Sequence, residues 1–196
     1  FTSRILRGVG LDISPQMLRL ARLDHDAVHL CFVQGDATAL PLASASFDSV
    51  FMLGGIHHVP DRRRLFSEVA RILKPGGRFI FREPVSDFWL WRLLRSIVYR
   101  LSPTLDHKNE RPLRLSETAP PLNSAGLRLD HWTTHGFLGF CLFMNNDVLI
   151  VNRLFRFIPG IRSITRASTR LDEAILSIPS FTGLGLQVVG CATKCK

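Results

Sequence analysis

Two adjacent histidines, His57 and His58, follow a Gly54-Gly55 pair that closes an apolar run. A neutral imidazole titrates near working pH, so either ring could take a proton from a hydroxyl, an amine or a carbon acid. The small residues beside them admit close approach of a reactant. The same pair would equally serve as packing at a strand-to-loop junction. Two carboxylates hold comparable positions: Asp12 follows the apolar segment Ile5 to Leu11, and Asp36 follows Gly35 at the end of Val28 to Val33. A carboxylate just past a strand can accept hydrogen bonds from both hydroxyls of a ribose. At Asp36 it could accept from an exocyclic adenine amine while the Ala37 amide faces a ring nitrogen. Each aspartate taken alone also fits a solvated cap on the segment that follows it.

The elements that would position these groups alternate regularly over residues 1–84. After the strand ending at Asp12, Ser14 offers an N-cap with Pro15 at the first helical position, and Met17, Leu18 and Ala21 fall at helical spacing. Val28 to Val33 and Phe47 to Leu53 read as buried strands ending at Gly35-Asp36 and Gly54-Gly55. Asp61 can cap a helix whose Leu65, Phe66, Val69, Ile72 and Leu73 make one apolar face, which Lys74-Pro75-Gly76-Gly77 ends. Arg78 to Arg82 is a fourth strand. Parallel strands joined through helices form a doubly wound sheet with right-handed crossovers, and such sheets bind ligands outside the carboxyl ends of their strands. Asp12, Asp36 and the stretch from Leu53 to His58 are predicted to meet there.

Three motifs in this order, GLDISPQMLRLAR, QGDATALPLASASFDSVFMLGGIHHVPD and LKPGGRFIF, resemble class I S-adenosylmethionine-dependent methyltransferases, closest to the type 11 methyltransferase domain group. The resemblance covers roughly Val9 to Phe81. It implies an α/β, Rossmann-like, doubly wound and mostly parallel sheet with an antiparallel last strand, and S-adenosyl-L-methionine as cofactor. It further implies that Asp12 holds the adenosyl ribose, with Ile13 and Met17 against the adenine and Asp36 and Ala37 at the adenine edge. Leu53 and Gly54 would pass under the methionyl part, leaving His57 and His58 as the catalytic candidates on the acceptor side. LKPGG is a structural turn in this family, and Asp48 is expected to stabilise its own loop. The family's glycine-rich loop belongs some twenty residues before Asp12, yet eleven residues precede it, and Gly8-Val9-Gly10 lies inside a strand. The sequence is therefore expected to be an N-terminally incomplete member, lacking the first strand and the loop whose amides approach the methionyl carboxylate.

Residues 85–182 are expected to be an acceptor-side insertion or lid, helical and basic, and residues 183–196 the closing antiparallel edge strand of the same domain, which would complete the C-terminal end. Ser86 to Leu101 and 148–166 have the pattern of basic amphipathic segments, which suit either packing on the sheet or contact with an anionic membrane surface. Ser102 to Pro121 reads as a linker or lid, and Pro120-Pro121 as a helix break before Ala125-Gly126-Leu127. Trp89, Trp91, Trp132, Phe137, Phe140 and Phe143 suggest an apolar acceptor pocket, although aromatics are also ordinary core residues. His107, His131 and His135 do not have metal-ligand spacing, and no metal is expected.

With 196 residues, 46% of them hydrophobic, the chain can bury a sizeable core, which excludes a disordered tail. No apolar run reaches the roughly 18 residues of a spanning helix, and no secretory signal is in view. Four cysteines without a CxxC pair make no disulfide framework, so a cytoplasmic location is expected, with peripheral membrane contact as an option. Lysine and arginine total 25 against 16 acidic residues, and the excess leans to the second half, which holds 14 of the 25. No nucleic-acid-binding signature accompanies it. The reading is thus methyl transfer to a small, apolar or lipid-like acceptor. The alternatives are an inactive or membrane-surface-binding fragment of the same family and, ranked lower, a nicotinamide-dependent oxidoreductase.

Overall fold

The computed structural model describes residues 7–24, 29–93, 96, 111–137, 139 and 157–196. Strand β1 (Gly8–Asp12), helix α1 (Pro15–Asp24) and strand β2 (Leu30–Gln34) form the first unit. α1 starts where the sequence predicts: the Ser14 hydroxyl accepts from the Met17 amide at 3.3 Å, and Pro15 occupies the first turn, where a missing N–H is harmless. β1 and β2 pair in parallel from Gly8 with Leu30 to Asp12 with Gln34. Gly10 permits that pairing because the Phe32 ring lies across it; a β-carbon there would sit 2.8 Å from the ring.

The remaining strands make a four-stranded sheet in the order β3-β4-β6-β5, from β3 (Phe47–Leu53), β4 (Leu73–Pro84), β5 (Leu127–His135) and β6 (Gln187–Lys194). β3 and β4 are parallel, while β6 runs antiparallel to both its neighbours. The α/β fold with an antiparallel last strand is as the sequence implies. β1 pairs with β2 and β3 with β4, and no ladder joins β1 to β3 among the described residues.

Helix α2 (Arg62–Ile72) begins at Asp61, whose carboxylate accepts from the Arg64 amide at 3.0 Å. It buries Leu65, Phe66, Val69 and Ile72 against the sheet, as its 3.6-residue spacing predicts. Opposite them β4 alternates, with Phe79 and Phe81 inward and Arg78 and Arg82 outward. The rings of Phe66, Phe79 and Phe81 pack in series at centroid distances of 6.2 and 5.2 Å, and Trp132 meets Phe81 edge-on at 6.0 Å. Each fully buried ring contributes about 2–3 kcal/mol by area. Phe81 lies against Gly190 of β6, where a β-carbon would stand 2.1 Å from the ring.

Several expectations need correction. β6 is not an edge strand: it is inserted between β4 and β5, so the last strand of the chain is central and β5 forms the edge. Pro120-Pro121 does not break a helix, because α3 (Leu115–Ser124) runs through both prolines. Its buried Thr118 and Leu122 anchor it to the core, and this packing outweighs the hydrogen bonds the prolines cannot donate. Residues 115–121 are therefore helix rather than linker. β4 begins at Leu73 instead of Arg78: the Lys74 to Gly77 turn bulges within the strand, with Gly76 at φ +78°, and Phe47 already pairs with Leu73. A further helix, α4 (Ile161–Leu176), follows Pro159-Gly160 and overlaps the end of the amphipathic segment 148–166. Its N-cap, Gly160, adopts φ +75°, a conformation glycine takes without steric cost. Helix is present over residues 89–93. Parts of the predicted segments 86–101 and 148–166, together with residues 102–110, His107, Phe140 and Phe143, lie outside the described residues.

Among the described aromatics of the second half, Trp91, Trp132 and Phe137 hold the fold, while Trp89 is exposed. Trp91 is buried, donates its indole N–H to the Leu184 carbonyl and packs edge-on against Phe137 at 5.6 Å. Asp172 of α4 is buried and accepts from the Phe137 and Gly139 amides at 2.9 and 3.0 Å, tying that helix to the segment after β5.

Candidate active site

Glu83 organises the site. It lies near the end of β4, with 0% of its surface exposed, at the inward phase shared with Phe79 and Phe81. A buried carboxylate is costly unless its oxygens are satisfied, and here they are. Oε1 accepts from the amides of Gly55 and Ile56 at 2.8 and 2.9 Å. Oε2 lies 2.7 Å from Nδ1 of His57 and 3.4 Å from the His57 amide. The turn after β3 is thus wrapped around one side chain of the neighbouring strand.

Two further contacts fix that turn. Gly54, at φ +67°, donates its amide to the Arg82 carbonyl at 2.9 Å, and the open space where its β-carbon would be leaves that face accessible. The His57 carbonyl accepts from the Arg111 amide at 2.9 Å. The residues from Ile56 to His58 complete one short helical turn, with Ile56 buried beneath it. His57 is mostly covered, with 13% of its side chain exposed, whereas His58 is exposed and stacks on it at a centroid distance of 3.9 Å. Arg62, at the start of α2, donates to the Arg111 carbonyl. Burial and the neighbouring Arg111 charge lower its guanidinium pKa, partly offset by Glu117 and Glu83.

The residues predicted to hold a nucleoside lie at the carboxyl ends of β1 and β2. Asp12 Oδ1 accepts from the Ser14 amide at 2.8 Å, so this aspartate does brace the turn into α1. No bond involves its Oδ2 among the described residues. Beside it, Ile13 and Met17 are 70% and 55% exposed, an apolar face that no layer of the described residues covers. Asp36 accepts from the Thr38 amide at 2.7 Å and the Thr38 hydroxyl at 2.9 Å, both through Oδ1. Those two bonds hold its carboxyl below the usual aspartate range. Ala37 packs at the margin of the main core, and Leu53, at the end of β3, is 73% exposed. Asp48 forms an ion pair with Lys74 at 2.8 Å, well away from this end of the strands.

The loop between β2 and β3 joins these two sets of residues through side chains of α2. Glu68 accepts from the Leu40 amide at 2.8 Å and from Nε and Nη2 of Arg71, while Arg71 donates to the carbonyls of Leu40 and Leu42 at 2.9 and 2.8 Å. Arg64 donates to the Thr38 carbonyl at 2.9 Å. The Asp36 turn is therefore held by the same helix that packs under β4.

Glu83 is the residue of this candidate site that the pattern of motifs does not reveal. A signal for it exists in Phe79-Ile80-Phe81-Arg82-Glu83: the glutamate occurs two residues after Phe81, in the buried phase of the strand, where a charge needs partners. His131 and His135 are exposed on β5 and do not approach this site's hydrogen-bond network.

Residues 1–81 match a family described as "Methyltransferase domain", the type 11 group. The chain is 38% identical over 82 residues to an O-methyltransferase of Pyrenophora dematioidea, covering 40% of this chain and 31% of that protein. It is 37% identical over 84 residues to a phthiotriol/phenolphthiotriol dimycocerosates methyltransferase of Mycobacterium tuberculosis, covering 42% of this chain and 31% of that protein. The matched stretch thus spans about a third of the length of each of these curated relatives. In fold, an S-adenosylmethionine-dependent methyltransferase of Mesorhizobium loti superposes with a TM-score of 0.58 at 19% identity, covering 96% of this chain and 81% of that one. Residues 1–81 are thus similar in sequence to the methyltransferase domain family, and the fold is one that S-adenosylmethionine-dependent methyltransferases share.

Proposed function

We propose that this protein transfers a methyl group from S-adenosylmethionine to a small, apolar or lipid-like acceptor, with His57 accepting the proton that the acceptor loses. The observation that carries this reading is the Glu83-held turn, which brings a histidine to the carboxyl end of β3 beside an open Gly54. The donor residues also fit a nucleoside: a strand-end carboxylate with an oxygen uncommitted among the described residues, next to two exposed apolar side chains.

In this reading Asp12 accepts from the ribose hydroxyls, Ile13 and Met17 cover the adenine, and Asp36 with Ala37 meets its edge. Leu53 and Gly54 border the methionyl arm. When bound, S-adenosylmethionine supplies a methyl on a sulfonium, a leaving group already activated. The chain's own contribution is alignment and proton removal. Transfer to the acceptor atom would break the sulfur–methyl bond and leave its electron pair on sulfur. The acceptor's proton passes to Nε2 of His57, with His58 stacked behind. The mycobacterial relative is named for methylating phthiotriol lipids, which supports an apolar acceptor here.

Titration calorimetry with S-adenosylmethionine tests the donor half. Binding should weaken roughly 10- to 100-fold in Asp12→Ala, the value of hydrogen bonds to a charged group. Equal affinity in the variant would remove Asp12 from the site, and absence of binding in the parent chain would overturn the assignment. For the acceptor, a donor carrying a labelled methyl incubated with cell extract should deliver label to the organic phase on solvent partition. Label confined to the aqueous phase would refute the apolar acceptor.

A further inference from the structure

We infer that Glu83 is a positioning residue that fixes the His57 tautomer, holding the proton on Nδ1 so that Nε2 presents a lone pair to the acceptor. The inference deepens the proposed role of His57 and rests on that reading for its catalytic meaning, but its structural content stands by itself.

The geometry leaves Glu83 little choice. Its Oε1 is spent on the amides of Gly55 and Ile56, both of which can only donate. Oε2 faces Nδ1 of His57 at 2.7 Å, and a carboxylate oxygen at that distance requires a proton between the two atoms. Because Glu83 is entirely buried, no water competes for the position. Nδ1 therefore carries a proton in the neutral ring as well as in the imidazolium, and the proton that comes and goes is the one on Nε2. The backbone strengthens this arrangement. His57 is held by its amide near Oε2 and by its carbonyl to the Arg111 amide, so the ring cannot swing away without breaking the turn.

Other charged groups around the ring do not offer Nδ1 a different partner. His58 stacks on its face, Arg62 enters from α2 and donates to the Arg111 carbonyl, and Glu117 of α3 pairs with Arg114 just before that helix. Among the described residues Glu83 is the acceptor that meets a nitrogen of His57.

Substituting Glu83→Gln separates positioning from mere packing. The amide keeps the size of the side chain, and its oxygen can still accept from Gly55 and Ile56. Its NH2 then points at Nδ1 and can only donate, which forces the ring into the Nε2–H tautomer, where the outer nitrogen has no lone pair to offer.

The test is nitrogen-15 NMR of the histidine rings, with the His57 signals assigned by their loss in His57→Asn. In the unmodified chain the neutral His57 ring should show a protonated Nδ1 and an unprotonated Nε2. In Glu83→Gln the two nitrogens should exchange character, with methyl transfer falling by about 10²- to 10⁴-fold, the range for loss of a general base, while donor affinity stays unchanged. An unprotonated Nδ1 in the parent chain overturns the proposal without any variant. A Glu83→Gln variant that folds with the His57 tautomer unchanged also overturns it. If the tautomers behave as stated but His57→Asn leaves methyl transfer intact, the hold on the ring stands and the base role of His57 fails.

Discussion

The two sheets of this protein solve the same packing problem to different degrees. In the four-stranded sheet, β4 and β6 are flanked by strands on both sides, and α2 and α3 cover a core of Phe66, Phe79, Phe81, Leu113 and Leu122. In the β1–α1–β2 unit, Leu18 is the buried hydrophobic side chain, while Ile13, Met17, Leu20 and Leu23 of the same unit remain exposed. Both units have comparable strand and helix signals in their sequences. The difference is that one has a second layer to bury against and the other presents its apolar surface. In the proposed reading this surface has a use: exposed Ile13 and Met17 are what a purine ring would cover, whereas a filled core has no room for one.

That comparison can be broken at its strongest point first. Phe81→Ala removes a fully buried ring seated on Gly190 and should cost about 3–5 kcal/mol in urea unfolding. A loss below about 1 kcal/mol would mean that the four-stranded core is not the stable part of the molecule. Next in size is the response to acid. Asp36 and Glu68 both titrate below their ordinary ranges, Asp36 mainly through the Thr38 amide and hydroxyl and Glu68 mainly through Arg71. A carboxyl whose folded pKa is depressed contributes stability that is complete above its unfolded value and is lost as the pH falls through the folded one. The loop between β2 and β3 should therefore lose amide protection below the ordinary carboxylate range, before β4 and β6 do. Loss in all three segments together would show that the loop and core form one cooperative unit. Smallest is Leu23→Ala: at 79% exposure this residue should change stability by about 0.5 kcal/mol or less, and a larger loss would show that α1 has a partner layer in solution.

Much of this architecture is legible in the chain. Ser14-Pro15 and Asp61 start the helices that they cap, the apolar runs become strands, and Asp12, Asp36 and Gly54-Gly55 fall at strand ends. These signals are local, because capping, periodicity and turn formation act within a few residues. The main errors are nonlocal. The central place of β6 depends on pairing with β4 from Arg78–Thr193 to Pro84–Gln187, across more than a hundred residues of sequence. The helix through Pro120-Pro121 depends on the burial of Thr118 and Leu122, which no propensity scale contains.

The site divides in the same way. By itself the sequence determined which residue types stand at the ends of the strands, and so which carboxylates and histidines are available for chemistry. Only the tertiary structure decided which of the two histidines is held and by what. Glu83 is 26 residues from His57 in the chain, and its carboxylate becomes a partner only because β4 pairs in parallel with β3 and turns that side chain into the protein. Burial supplies the physical reason: away from water an ionised carboxylate must find donors, and the turn after β3 supplies two amides and an imidazole.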